Sequence, residues 1–231
     1  MPLRLRPTAP IAADAVLVGD PGRALLLAQE LLEEPKMSNH ARGLWAYFGA
    51  TAAGGELTIQ ATGMGGPSAA LVLGDLVELG VKRAVRIGTC VGANANGSLG
   101  DLLIVREAIA QGGSAAALGV EPGTAVTPDP ELTGRLQSEL DEGKLVTTTS
   151  VDAHPGEHAA VPGIAAFDMQ TAPLIARATS LQIELAALLI VSEAKDSVIS
   201  DAGGGTASLA KDELEELERR AGRAASAVLS G

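Results

Sequence analysis

Val81-Lys82-Arg83-Ala84-Val85-Arg86-Ile87-Gly88-Thr89-Cys90-Val91-Gly92 reads as a short apolar strand that runs into a glycine-containing turn, with a guanidinium in its middle. A buried charge without a partner is costly. Arg86, between Val85 and Ile87, therefore requires solvent on its face of the strand, a structural carboxylate or a fixed anion. The segments on either side decide which of these the chain supplies.

Towards the N-terminus, Ala15-Val16-Leu17-Val18 is a second apolar strand, followed by Gly19-Asp20-Pro21-Gly22-Arg23 and the helical pattern from Ala24 to Leu32. A strand, a glycine turn and a helix in that order place backbone N–H groups and Arg23 at a helix N-terminus, where the dipole favours an anion. The same residues also suit an ordinary turn with Asp20 as helix cap. Lys36 to Gly43 reads as a polar loop containing His40 and Arg42, and Leu44-Trp45-Ala46-Tyr47-Phe48 concentrates large side chains that suit packing against another subunit. Gly54-Gly55 is a hairpin turn between Tyr47–Ala52 and Glu56–Ala61. The strand Leu57 to Thr62 then leads through Gly63-Met64-Gly65-Gly66-Pro67-Ser68 into a helix with Leu71, Val72, Leu76, Val77 and Leu79 as its apolar face and Gly80 as its stop.

Towards the C-terminus, Gly100 to Val105 is a strand, Gln111 to Gly123 a glycine-rich surface loop, Glu131 to Leu140 a helix and Leu145 to Thr149 a strand. His154-Pro155-Gly156-Glu157-His158 is a turn with room to lie over a pocket. A strand from Gly163 to Phe167 delivers Asp168-Met169-Gln170 to its carboxyl end, before a helix opened by Thr171-Ala172-Pro173. Leu185 to Val191 is a buried parallel strand ending in Ser192-Glu193, and ligands in open parallel sheets bind beyond such strand ends. Ser197 to Gly205 is a candidate lid, and Lys211 to Leu229 an amphipathic helix whose acidic first turn complements the dipole.

Composition narrows the class. The chain has 231 residues, enough for one α/β domain with a full core, and 46% of them are hydrophobic, which excludes disorder. A net charge of −11 without any Lys/Arg block argues against nucleic acid or an anionic membrane surface as partner. No apolar run of transmembrane length or secretory h-region is visible, so the expected location is the cytoplasm. Cys90 is the single cysteine, which excludes an intrachain disulfide and a cysteine metal cluster, and the three histidines lack a ligand spacing.

Taken as a set, Gly19-Asp20-Pro21-Gly22-Arg23-Ala24, Asn39-His40-Ala41-Arg42-Gly43, Gly63-Met64-Gly65-Gly66-Pro67-Ser68 and Arg86-Ile87-Gly88-Thr89-Cys90 resemble the nucleoside phosphorylase family of the hexameric purine nucleoside phosphorylase, uridine phosphorylase and methylthioadenosine phosphorylase type. The resemblance runs from about residue 10 to residue 195. It implies a mixed, largely parallel twisted sheet flanked by helices over residues 1–231. It also implies a phosphate site made by Gly19, Arg23, Arg86 and Thr89, with Arg42 reaching across from a neighbouring subunit of a homodimer or homohexamer.

The implied reaction is phosphate-dependent cleavage of a nucleoside, purine or modified purine, to free base and pentose 1-phosphate. Inorganic phosphate is the co-substrate, and neither metal nor organic cofactor is needed. Glu193 would act as general acid with Arg86 beside the phosphate, and Met64, His154, Phe167, Asp168, Met169 and Gln170 would contact the nucleoside. The chain departs from the family pattern at Gln170, where the family has a glutamate for the ribose hydroxyls, and at Glu193, where it has an aspartate. Asp196 lies three residues further on. His154 stands in place of an aromatic, Leu3 to Arg6 carries no histidine, and the uridine-specific Gln-Arg pair is not visible. The alternatives are a family member that has lost or changed the chemistry and binds a phosphorylated sugar or nucleotide, or a hydrolytic nucleosidase.

Overall fold

The computed structural model describes residues 4–94, 96–157, 162–195 and 206–230. Its strands are β1 (Asp14–Val18), β2 (Leu32–Asn39), β3 (Ala46–Thr51), β4 (Glu56–Ala61), β5 (Arg83–Gly92), β6 (Leu102–Ala110), β7 (Ala125–Val126), β8 (Lys144–Ser150), β9 (Ala166–Asp168), β10 (Glu184–Lys195) and β11 (Thr206–Ser208). The helices are α1 (Pro21–Leu31), α2 (Gly65–Glu78), α3 (Gly113–Ala116), α4 (Pro130–Glu139), α5 (Thr171–Leu181) and α6 (Lys211–Ser230).

All strands belong to one sheet, ordered β11-β10-β6-β8-β9-β5-β1-β4-β3-β2, with β7 on β6. An additional pairing of β10 with β5 closes β5, β10, β6, β8 and β9 into a ring. The pairs β1–β4, β1–β5 and β10–β5 are parallel, as expected for the apolar runs Ala15–Val18 and Leu185–Val191. Antiparallel pairs flank them at β2–β3, β3–β4, β5–β9, β6–β7, β10–β6 and β10–β11.

Alternation along the strands divides the core in two. Leu17, Ala84, Leu103, Leu189 and Val191 pack with α2 and α5, whereas Val16, Val85, Ile87, Leu188 and Ile190 pack with α1, α4 and α6. Leucine, isoleucine, valine and alanine fill both halves, as the scarcity of aromatics requires.

Several local expectations change. Lys36 to Asn39 is not loop but the end of β2, bonded to β3, and Glu34 with φ 47 breaks the register there. β5 does not turn at Gly88; it continues as strand to Gly92. Glycine is needed at Gly88 because a Cβ would lie 2.4 Å from Arg86 Nη2, so the guanidinium lies over the next same-face position of its own strand. Leu71 faces outward at 46% exposure, and Ala69, Val72, Leu73 and Leu76 form the buried stripe of α2 instead. The loop from Gln111 contains α3. The candidate lid Ser197 to Gly205, Asp196 and His158 lie outside the described residues.

Candidate active site

The carboxyl ends of β1, β4, β5, β9 and β10 bring the expected site residues together in two groups, one on each face of the sheet. The first surrounds Arg86, which is 3% exposed. Its Nη2 donates to Asp168 Oδ2 at 2.8 Å, Nη1 to Gln170 Oε1 at 2.7 Å and Nε to Thr171 Oγ1 at 3.1 Å. Asp168 also accepts from the backbone N–H groups of Gln170 and Thr171 and from the hydroxyls of Thr171 and Ser150. Burial lowers the Arg86 pKa from its ordinary value; Asp168 opposes this, and the charge of Arg23 adds to the lowering.

Gln170 completes this group. Its Oε1 accepts from Arg86 and from Thr62 Oγ1 at 3.2 Å, while Nε2 donates to the carbonyls of Gly63 at 2.7 Å and Gly65 at 3.2 Å. Those carbonyls are presented by a turn with φ +73 and +78, left-handed values that favour glycine at both positions. The amide is thus saturated within the chain. Its hydrogen bonds go to Arg86 and the glycine turn, where a sugar contact was expected. Asp168 is likewise bonded to Arg86, Ser150 and Thr171. Gly19 lies against the same turn, since a Cβ on it would sit 3.6 Å from Gly63 O and 3.8 Å from Gln170 Oε1.

The second group lies on the other face. Ile109, Thr149, Phe167, Val91 and Glu193 are paired in register across β6, β8, β9, β5 and β10, so their side chains share one face. Ile109, Thr149 and Phe167 line a cavity of about 720 Å³, together with Gln111, Gly112, Gly113, Val151, Asp152, Ala153 and Ile164.

Glu193 joins this row only through a β-bulge. Ile190 pairs with Thr89 and Val191 with Cys90, but the next pair is Glu193 with Val91, so Ser192 is the extra residue. Regular pairing would have placed Glu193 on the Cys90 face; the bulge re-aims it. Glu193 thereby stands two strands from Phe167, about 10 Å at the usual strand spacing. Thr89 precedes Val91 by two residues and faces the same way. Arg23, whose Nε donates to Glu218 Oε1 at 2.5 Å, comes from α1 on this face.

Other expected residues stay apart. Met64 is 86% exposed, Met169 half-buried, and His154 is exposed with Nδ1 accepting from Gly156 N. None of the three lines the cavity. Arg42 is exposed at φ 60 and has no partner among the described residues. Asp152 anchors the cavity rim by accepting from Ser114 N and Oγ. Among the described residues no group of three or more His, Cys, Asp or Glu is placed to hold a metal ion, and no helix is long and apolar enough to cross a membrane.

Sequence reasoning missed Glu218, the Ser192 bulge and the pairing of Asp168 with Arg86. Only the last had a signal, a buried-strand arginine that needed a partner.

A strand-borne arginine, glycine turns at adjacent strand ends and an apolar cavity on the face that carries Glu193, which does not itself line it, form the candidate small-ligand site at the carboxyl edge of this α/β sheet. The sequence model of the phosphorylase superfamily matches residues 14–231, and the chain belongs to that superfamily. It is 37% identical over 99 residues to a purine nucleoside phosphorylase DeoD-type of Oceanobacillus iheyensis, a match covering 42% of each chain. It is 29% identical over 209 residues to the protein of the same name from Alkaliphilus metalliredigens, covering 86% of this chain and 87% of that one. The matched stretch therefore spans under half of the first relative and most of the second. A crystal structure of purine nucleoside phosphorylase from Toxoplasma gondii in complex with immucillin-H superposes with a TM-score of 0.81 at 17% identity, over 95% of this chain and 91% of that chain. The likeness at that identity establishes the shared fold.

Proposed function

We propose that this chain catalyses phosphate-dependent cleavage of the N-glycosidic bond of a nucleoside, purine or modified purine, to free base and pentose 1-phosphate. The observation that carries this reading is the in-register row that places Glu193 on the same face as the cavity over Phe167, Thr149 and Ile109. The names of the relatives support it.

Phosphate is held by Gly19, Arg23, Arg86 and Thr89, with Arg42 supplied by a neighbouring copy, since guanidiniums bind oxyanions through paired N–H groups. The base occupies the apolar cavity. As the glycosidic bond breaks, the sugar becomes cation-like and charge develops on the leaving base. Glu193, held by the bulge, delivers a proton to that base while phosphate attacks the anomeric carbon from the other side. Asp168 and Gln170 act one step removed, fixing the guanidinium of Arg86.

A hydrolytic nucleosidase is the second reading. It is favoured by the carboxylate already paired with each arginine, Glu218 with Arg23 and Asp168 with Arg86, which reduces the positive charge offered to phosphate. Chromatography of purine and pyrimidine nucleosides incubated with and without phosphate separates the two. Base release that depends on phosphate is expected; an equal rate in its absence establishes hydrolysis instead.

A further inference from the structure

The C-terminal helix reaches the anion end of the sheet. Gly222 is buried where α6 meets α1, and a Cβ there would lie 2.6 Å from Leu27 Cδ2 and 3.3 Å from Leu31 Cδ1. Without a side chain at Gly222 the two helices approach closely. One turn earlier on each helix, Glu218 meets Arg23. On the outer side of the same seam Arg219 and Arg223 both pair with Glu30, which fixes the register of α6 on α1.

Glu218 is 5% exposed and Arg23 9%. The carboxylate takes the Nε–H of Arg23, and the two terminal nitrogens have no partner among the described residues. A guanidinium held at Nε has its plane fixed and its terminal fork available, the arrangement that binds an oxyanion through two parallel hydrogen bonds. Glu218 also keeps Arg23 compensated before any anion arrives. Glu218, two residues beyond the acidic run Asp212 to Glu216, is thus not a solvated surface charge.

We propose that Glu218 is a positioning residue for phosphate, acting through Arg23 by orienting its terminal nitrogens toward the anion site. This rests on the phosphorylase reading, and the test separates the two. Glu218→Asp keeps the charge but withdraws the carboxyl by one methylene, whereas Glu218→Gln keeps the reach and an acceptor oxygen but removes the charge. The aspartate variant is expected to raise KM for phosphate about tenfold, the scale of one weakened hydrogen bond to a charged group, with KM for nucleoside unchanged. The glutamine variant is expected to leave KM for phosphate unchanged or lower. Equal rises in both variants, no rise in either, or a parallel rise in the two KM values would overturn the proposal. Calorimetric titration of inorganic phosphate without nucleoside provides the independent arm. If the unmodified protein binds phosphate yet releases base equally without it, the phosphorylase reading fails and Glu218 is judged on the Kd values of the variants. If it binds no phosphate, the role of Glu218 falls as well.

Discussion

Arg86 and Arg23 serve the same end of the sheet from opposite faces, and their surroundings differ in kind. Arg86 projects from a strand bonded on both edges and spends each of its three nitrogens on Asp168, Gln170 and Thr171. Arg23 projects from the first turn of a helix and has one side-chain partner among the described residues, a glutamate 195 residues away in sequence. The contrast assigns different duties to two like residues. Arg86 is part of the framework and holds a fixed charge, while Arg23 is held by a single side-chain contact and keeps more free donors among the described residues.

Removing Arg86 should have the largest effect. Arg86→Ala strands Asp168 without a cation in a buried position and is expected to cost about 3–5 kcal/mol of stability, measured by urea unfolding. Arg23→Ala removes one contact and should cost less; equal losses would erase the distinction between framework and aimed arginine. Gln170→Glu comes next. It places a carboxylate oxygen where Nε2 now donates to the carbonyls of Gly63 and Gly65, and about 1–3 kcal/mol should be lost in the same assay. A gain would mean that attraction to Arg86 outweighs repulsion from the turn.

The smallest effect concerns Cys90, on the Arg86 face. Burial raises its thiol pKa well above the ordinary value, so the folded protein keeps it neutral. The unfolded chain ionises near pH 8.5. The contribution is therefore complete below that pH and is lost as pH rises above it, by at most about 1.4 kcal/mol per unit. Cys90→Ala should flatten the decline in stability between pH 8 and pH 10, and an unchanged slope would place the decline on other groups.

Much of the fold was legible because strand, glycine turn and helix recur at Val18–Arg23 and at Thr62–Ser68, and because Leu185–Val191 is too apolar to be anything but a buried strand. Glycine usually marks a turn, but in the folded chain the missing side chain of Gly88 makes room for Arg86 within a continuous strand. The polar stretch Lys36–Asn39 hid the end of an edge strand, exposed at Lys36 and Met37 but buried at Ser38 and Asn39, whose polar side chains give no hydrophobic alternation. In the site, the arginines and Thr89 stood out by type. The Ser192 bulge did not, because an extra residue in a strand is defined by its partner strand and leaves no trace in its own sequence. Glu218 was hidden for a similar reason: among its acidic neighbours, only the packing of α6 on α1 at Gly222 singles it out.

Closure of the five-strand ring has a further consequence for how the protein is made. β5 is bonded to β10, a strand about a hundred residues later, and to β9, which lies between them in sequence. Until β10 has been synthesised, β5 lacks a partner on that edge while its apolar residues are already present. Such long-range pairing is slow and leaves sticky intermediates exposed. The segment that supplies Glu193 is therefore also the one that completes the ring, so a chain interrupted before β10 would lack that carboxylate and the closure together.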